Sequence, residues 1–136
     1  MHRKIPDIAA DCVVFDDHDR LLLVRRRNPP FQGQFALPGG FVEYGEETAV
    51  AASRELREET GLRAEQLRLV GVYSRPDRDP RGHTISIAYL VAAGTQSPKA
   101  GDDAASAEFR ADWRDLKLAF DHNRIVADAV QLRGGK

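Results

Sequence analysis

The rhythm of hydrophobic and polar positions changes along the chain and predicts its elements. Residues 8–15 (IAADCVVF) are apolar with β-branched positions and read as a strand. Asp16-Asp17-His18-Asp19 is a turn, and residues 20–27 read as the returning arm of a hairpin. Asn28-Pro29-Pro30 breaks that strand. Residues 35–37 form a short strand ahead of Pro38-Gly39-Gly40, which reads as a turn or loop. Thr48–Thr60 is alanine-rich, holds no Gly or Pro, and stops at Gly61, so it is the clearest helix in the chain. Residues 67–73 and Thr84–Ala92 read as strands joined by a polar, proline-containing loop, and residues 107–110 as a shorter strand. His122–Leu132 is amphipathic, with Ile125, Val126, Ala129 and Leu132 on one face, and should close the fold as a helix. The order predicts an α/β protein: a mixed sheet with helices packed on its faces.

Length and composition narrow the class. The 136 residues suit one domain spanning 1–136, and 42% hydrophobic with 30% charged residues describes globular material with a core. No stretch approaches the roughly 20 apolar residues of a membrane helix, and the N-terminus lacks a signal-peptide pattern. A cytoplasmic protein with no membrane partner is expected. Cys12 is the lone cysteine. It lies in an apolar run and reads as a buried structural thiol. A net charge of −1 argues against binding a nucleic acid polymer through a global field. The charge is segregated, however: acid gathers in residues 43–59 and arginine in residues 75–81.

The helix carries the first chemical clue. In Arg54-Glu55-Leu56-Arg57-Glu58-Glu59, the pairs Glu55/Glu58 and Glu55/Glu59 are spaced i, i+3 and i, i+4. All three carboxylates therefore share one side. Leu56, Ala49 and Ala52 fall on the neighbouring face and can pack on a core. Like charges at this spacing repel by a few tenths of a kcal/mol, and the macrodipole disfavours anions near a helix C-terminus. A divalent cation is the simplest compensation, and hard oxygen ligands suit Mg²⁺, with Mn²⁺ as a substitute. A solvated acidic face is the plain alternative.

The surrounding pattern decides between them. Gly40, Glu46, Arg54-Glu55-Leu56, Glu58-Glu59 and Gly61-Leu62 stand at the spacing of the Nudix signature, preceded by Leu37-Pro38-Gly39 and with Phe41-Val42-Glu43 following Gly40. The chain thus resembles the Nudix hydrolases, most specifically over residues 35–62. The resemblance implies an α/β/α sandwich and Mg²⁺-dependent hydrolysis of a diphosphate in a small nucleotide substrate. It implies metal ligands at Glu55, Glu58, Glu59 and the Gly39 carbonyl. Arg54 would orient a box glutamate by charge-assisted hydrogen bonds, and Glu46 would give structural support. The metal would screen the anionic diphosphate and activate a water, a carboxylate would take the water's proton, and no covalent intermediate is expected. Glu55 is one candidate base; Asp102, Asp103 and Glu108, outside the box, are the others.

The substrate is read from a second stretch. Arg75, Arg78 and Arg81 lie between two predicted strands, and arginine grips phosphate bidentately. Pro76 stands 15 residues past Gly61. By resemblance that place is typical of ADP-ribose pyrophosphatases, and residues 74–83 and 118–122 look like a small bacterial and archaeal branch of them. Residues 106–115 depart from that branch. The expected substrate contacts are Arg27, Phe35, Arg75, Arg78 and Arg81, with Phe31, Phe35 and Tyr44 as candidates for an adenine slot. Competing readings are a nucleoside triphosphate pyrophosphohydrolase of the 8-oxo-dGTP type and a domain that senses ADP-ribose without cutting it. The resemblance also makes a homodimer plausible.

Overall fold

The computed structural model describes residues 4–101 and 104–134. Among them the order is β1 (Asp7–Val13), β2 (Leu21–Arg26), β3 (Phe35–Ala36), β4 (Gly39–Phe41), α1 (Thr48–Thr60), β5 (Gln66–Tyr73), β6 (Thr84–Ala92), β7 (Ala104–Arg110), a 3-10 turn at Trp113–Asp115 and α2 (His122–Leu132). The strands form two sheets, β4-β1-β6-β5 and β3-β2-β7. β1 pairs parallel to β6 and antiparallel to β4; β2 pairs antiparallel to β3 and β7.

The predicted hairpin is only half realised. Its turn forms, with Asp16 N–H donating to Arg20 O at 3.0 Å and Leu22 N–H to Val14 O at 2.9 Å. The arms then part into different sheets. Residues alternate faces along a strand. Ala10, Cys12 and Val14 pack with Ala51, Ala52 and Leu56 of α1, whereas Val13 packs with Ile125, Val126 and Ala129 of α2. A segment buried on both faces needs strand partners on both edges, and β4 and β6 supply them. The four-stranded sheet therefore lies between the two helices.

Three further departures have local causes. Gly39 and Gly40, expected in a loop, belong to β4, because backbone pairing to Asp11 and Ala10 does not depend on side chains. β7 starts three residues earlier than expected. The inward face of α1 is Ala51, Ala52, Leu56 and Thr60, with Ala49 only half-buried. Leu132 is likewise half-buried, while Ile125, Val126 and Ala129 are in the core.

Helix α1 ends as anticipated. Gly61 adopts φ 74° and donates its N–H to Arg57 O at 2.9 Å. The chain then returns across that end. Lys99 N–H donates to Thr60 O (2.7 Å) and Gly101 N–H to Glu59 O (2.8 Å), satisfying carbonyls the helix leaves open. Complete burial of Leu56 is worth about 1.5–3 kcal/mol, which outweighs the few tenths lost to like-charge repulsion. Cys12 is buried, and its thiol donates to Ala52 O at 3.3 Å. Burial pushes its pKa up, away from reactivity. Among the described residues no helix is long and apolar enough to cross a membrane.

Candidate active site

Arg54 is the hub of the acidic helix. Its Nε donates to Glu46 Oε2 (2.8 Å) and Nη2 to Glu46 Oε1 (3.0 Å) and Phe41 O (3.0 Å). Nη1 donates to Glu55 Oε1 (2.8 Å) and Glu58 Oε1 (3.1 Å). These contacts use all the donors of the guanidinium fork. Glu46 lies just before α1 and also accepts Glu43 N–H at 3.0 Å. The Arg54 hydrogen bonds hold the Glu46 carboxyl down to about 2, and Glu46 in turn raises Arg54. One arginine thus ties the loop before the helix to two of the three box glutamates. The third, Glu59, accepts Gly39 N–H at 2.7 Å.

The glycine pair allows this approach. A methyl built on Gly40 would sit 2.5 and 2.6 Å from the two carboxyl oxygens of Glu55, and one on Gly39 would run into Asp11 and the Ala10 backbone. Glu55 therefore packs directly on bare backbone. A cleft of about 330 Å³ opens here. Gly39, Gly40, Glu55 and Glu59 line it together with Arg25, Arg26 and Arg27. Glu58 stays outside the cleft with its side chain 53% exposed. Of the expected metal ligands, the fold gathers Gly39, Glu55 and Glu59.

These donors fit a hard divalent cation, being carboxylate and carbonyl oxygens on a glycine cradle. Among the described residues no three His, Cys, Asp or Glu side chains form a ready-made metal cluster.

The expected substrate contacts divide. Arg27 lines the cleft and donates to Ala104 O at 3.0 Å. Arg81 also lines it, paired with Asp79 at 2.8 Å, its guanidinium 5.8 and 5.7 Å from the ring centres of Phe41 and Phe120. Arg78 reaches the cleft wall but is already engaged. It is buried, with Nη2 and Nε on Asp121 (2.5 and 2.9 Å) and Nη1 on Ser86 Oγ (2.8 Å). Its bonds to Asp121 clip the β5–β6 loop to the start of α2 and weigh against its reading as a phosphate grip.

Arg75 is not in the cleft; it is exposed and faces Asp77 at 3.5 Å. Phe35 belongs to the core, capped by the Arg25 and Arg110 guanidiniums at 4.2 and 4.9 Å. Neither Phe31, packed edge-on against Phe120, nor fully exposed Tyr44 lines the cleft. The aromatic rings that do are Phe41 and Phe120. Glu108 lines a separate groove with Asp16 and Gly94 and is held by Arg110 at 2.7 Å. Asp102 and Asp103 lie outside the described residues.

Further residues line the cleft, of which Asp11 alone went unread in the sequence. Arg26 donates to Pro30 O at 2.7 Å and lies 5.0 Å from the Phe120 ring centre. Burial and the charge of Arg81 lower its pKa. His122 is buried and accepts Leu37 N–H on Nδ1 at 3.0 Å; burial lowers its pKa. Asp11, in the middle of β1, also lines the cleft. An acid inside an otherwise apolar strand was the available signal for it.

A family model described as the NUDIX domain matches residues 6–131. The chain belongs to the Nudix family. It carries the family's diphosphatase box on the geometry just described, and Nudix hydrolases generally use divalent metal ions. It is 50% identical over 131 residues to the ADP-ribose pyrophosphatase of Methanocaldococcus jannaschii, covering 96% of this chain and 76% of the relative. It is 31% identical to an ADPR responsive transcriptional repressor of Acinetobacter baylyi, of which it spans 53%. Among solved structures, the NUDIX domain of Shewanella oneidensis NrtR, complexed with ADP ribose, superimposes with a TM-score of 0.90. That match has 27% identity and covers 96% of this Nudix chain and 90% of the other.

Proposed function

We propose that this Nudix hydrolase cuts the diphosphate of ADP-ribose to AMP and ribose 5-phosphate, with Mg²⁺ as its ion. The observation that carries the reading is the one cleft lined by Glu55 and Glu59 and by Arg25, Arg26 and Arg27. None of these three arginines has an ion-pair partner among the described residues. Carboxylates for a metal and arginines without a charge partner, gathered in one cleft, suit a bridging diphosphate. The substrate named for the archaeal relative and the ADP-ribose in the Shewanella domain support the choice of sugar nucleotide.

Gly39, Glu55 and Glu59 would hold the ion, which supplies charge neutralisation and Lewis acidity at the diphosphate. Arg54 aims Glu55 through its hydrogen bond, and Gly39 N–H does the same for Glu59. Glu55 would accept the proton of an attacking water. Arg26 and Arg27 bind the phosphate oxygens and orient the anhydride. Phe41 and Phe120 offer flat apolar surface for the adenine. A buried lone thiol at Cys12 agrees with a cytoplasmic enzyme. The homodimer remains part of the proposal and is tested by sedimentation.

The test is product analysis with Mg²⁺ on ADP-ribose, NADH, 8-oxo-dGTP and the common nucleoside triphosphates. ADP-ribose leading on kcat/KM, with AMP as product, supports the reading. A triphosphate leading, with pyrophosphate released, replaces it by the 8-oxo-dGTP-type activity. Binding of ADP-ribose without cleavage replaces it by sensing.

A further inference from the structure

Asp11 is a charged residue in the core with no account in the chemistry above. It lies midway along β1, between Gly39 of β4 and Ala88 of β6. Its side chain shares the face of Ala9 and Val13, away from α1 and toward α2. It is 6% exposed and lines the cleft. Its Oδ2 is sealed from solvent and has no hydrogen-bond partner among the described residues. A buried charged oxygen without a donor destabilises a fold. Nearby arginines do not relieve it: Arg78 is committed to Asp121 and Ser86, and Arg81 to Asp79. Such an orphan asks for an explanation from function.

The neighbourhood says what would complete it. An anionic diphosphate cannot sit on a carboxylate. Hydroxyl groups can, because each brings a donor. Beside Asp11 on the cleft wall, His122 takes Leu37 N–H on Nδ1, so the neutral ring carries its hydrogen on Nε2. Both residues line the cleft and the His122 ring feels the charge of Asp11, so an acceptor and a donor share one neighbourhood. That pairing matches a vicinal diol, in which one hydroxyl donates and its neighbour accepts. The χ2 torsion of aspartate is soft, so the unsatisfied oxygen can turn into the cleft when a donor arrives.

We propose that Asp11, with His122, is the subsite for the hydroxyls of the sugar beyond the diphosphate, and that it selects a ribose-bearing diphosphate over one without a sugar. This rests on the ADP-ribose reading and adds the residue that recognises the second sugar.

The experiment compares ADP-ribose with the methyl ester of ADP, which keeps adenosine and diphosphate but lacks the sugar. Wild type and Asp11→Asn are assayed with Mg²⁺, and their melting temperatures and the inhibition constant of ribose 5-phosphate are measured. A lost charge-assisted hydrogen bond predicts that the preference for ADP-ribose falls about ten- to a hundredfold, through KM. Ribose 5-phosphate inhibition should weaken in step, and the melting temperature should hold or rise, since an orphan charge is removed. An equal fall for both substrates would assign Asp11 to the diphosphate or its ion and overturn the proposal. An intact preference with a lower melting temperature would make Asp11 a structural carboxylate and also overturn it. A wild type indifferent to the sugar would sink the ADP-ribose reading itself, a result seen before any variant is made.

Discussion

Replacing Gly40 by alanine isolates one requirement of the site. Gly40 lies in an ordinary β4 conformation, and among glycines with positive φ it does not appear, so the backbone accepts an L side chain. The new methyl would stand 2.5 and 2.6 Å from the carboxyl oxygens of Glu55. Ordinary contact starts near 3.5 Å, so the carboxylate must retreat by about 1 Å. Retreat draws it off the 2.8 Å bond from Arg54. A displacement of about 1 Å in a catalytic group costs on the order of 100-fold in rate. The obstacle is the flexible end of a side chain, so stability should change by less than about 1 kcal/mol. Steady-state hydrolysis of ADP-ribose with Mg²⁺, together with urea denaturation, reads both quantities. Gly39→Ala is the contrast: its methyl meets the Ala10 backbone and Asp11, which cannot yield, so stability should fall by about 1–3 kcal/mol. Gly40→Ala with turnover within threefold of wild type would refute the cradle argument.

Glu59→Gln keeps an oxygen for Gly39 N–H but loses the ligand charge; turnover should vanish while the melting temperature holds, and near-normal turnover would remove Glu59 from the metal site. Arg78→Ala should cost stability more than substrate affinity. It strands Asp121, a quarter exposed, so the loss belongs at the low end of the roughly 3–5 kcal/mol for broken buried pairs. A urea midpoint equal to wild type with a raised KM would return Arg78 to substrate binding. His122 sets a pH dependence. Burial lowers its folded pKa below the unfolded value of about 6.5. On acidification the unfolded chain therefore takes up the proton first. The stabilisation is complete above about pH 6.5 and is lost as pH falls toward the folded value, by up to about 1.4 kcal/mol per pH unit. His122→Asn should lack this part of the slope in urea melts between pH 8 and 5, and parallel curves would refute it.

The box was legible because its chemistry is local. Glu55, Glu58 and Glu59 lie within two turns of one helix, and their shared side follows from 3.6 residues per turn. Gly61 announced its αL stop in the same local way. The α/β class and the core faces of both helices followed from periodicity, with exceptions at their margins. Which glutamates reach the cleft was not local. Glu58 and Glu55 share Arg54, but only Glu55 and Glu59 meet the Gly39–Gly40 edge, since β4 runs past one side of α1. Composition read the glycine pair as a turn, whereas the strand needed them bare for Glu55 and Asp11 to approach.

The substrate wall depended on tertiary structure still more. Three arginines in one loop look alike in sequence. Burial and partners separate them into a clip to Asp121, a cleft residue on Asp79 and an exposed side chain beside Asp77. Phe35 and Phe120 are likewise both aromatic, yet only Phe120 borders the cleft. Asp11, Arg26 and His122 come from distant parts of the chain and meet only because β1, β2 and α2 converge. The sequence by itself determined the family, the reaction and the acidic helix, because these rest on spacing within one element. The tertiary structure alone decided which residues face the substrate, because that depends on which partners claim each charge once the chain is folded.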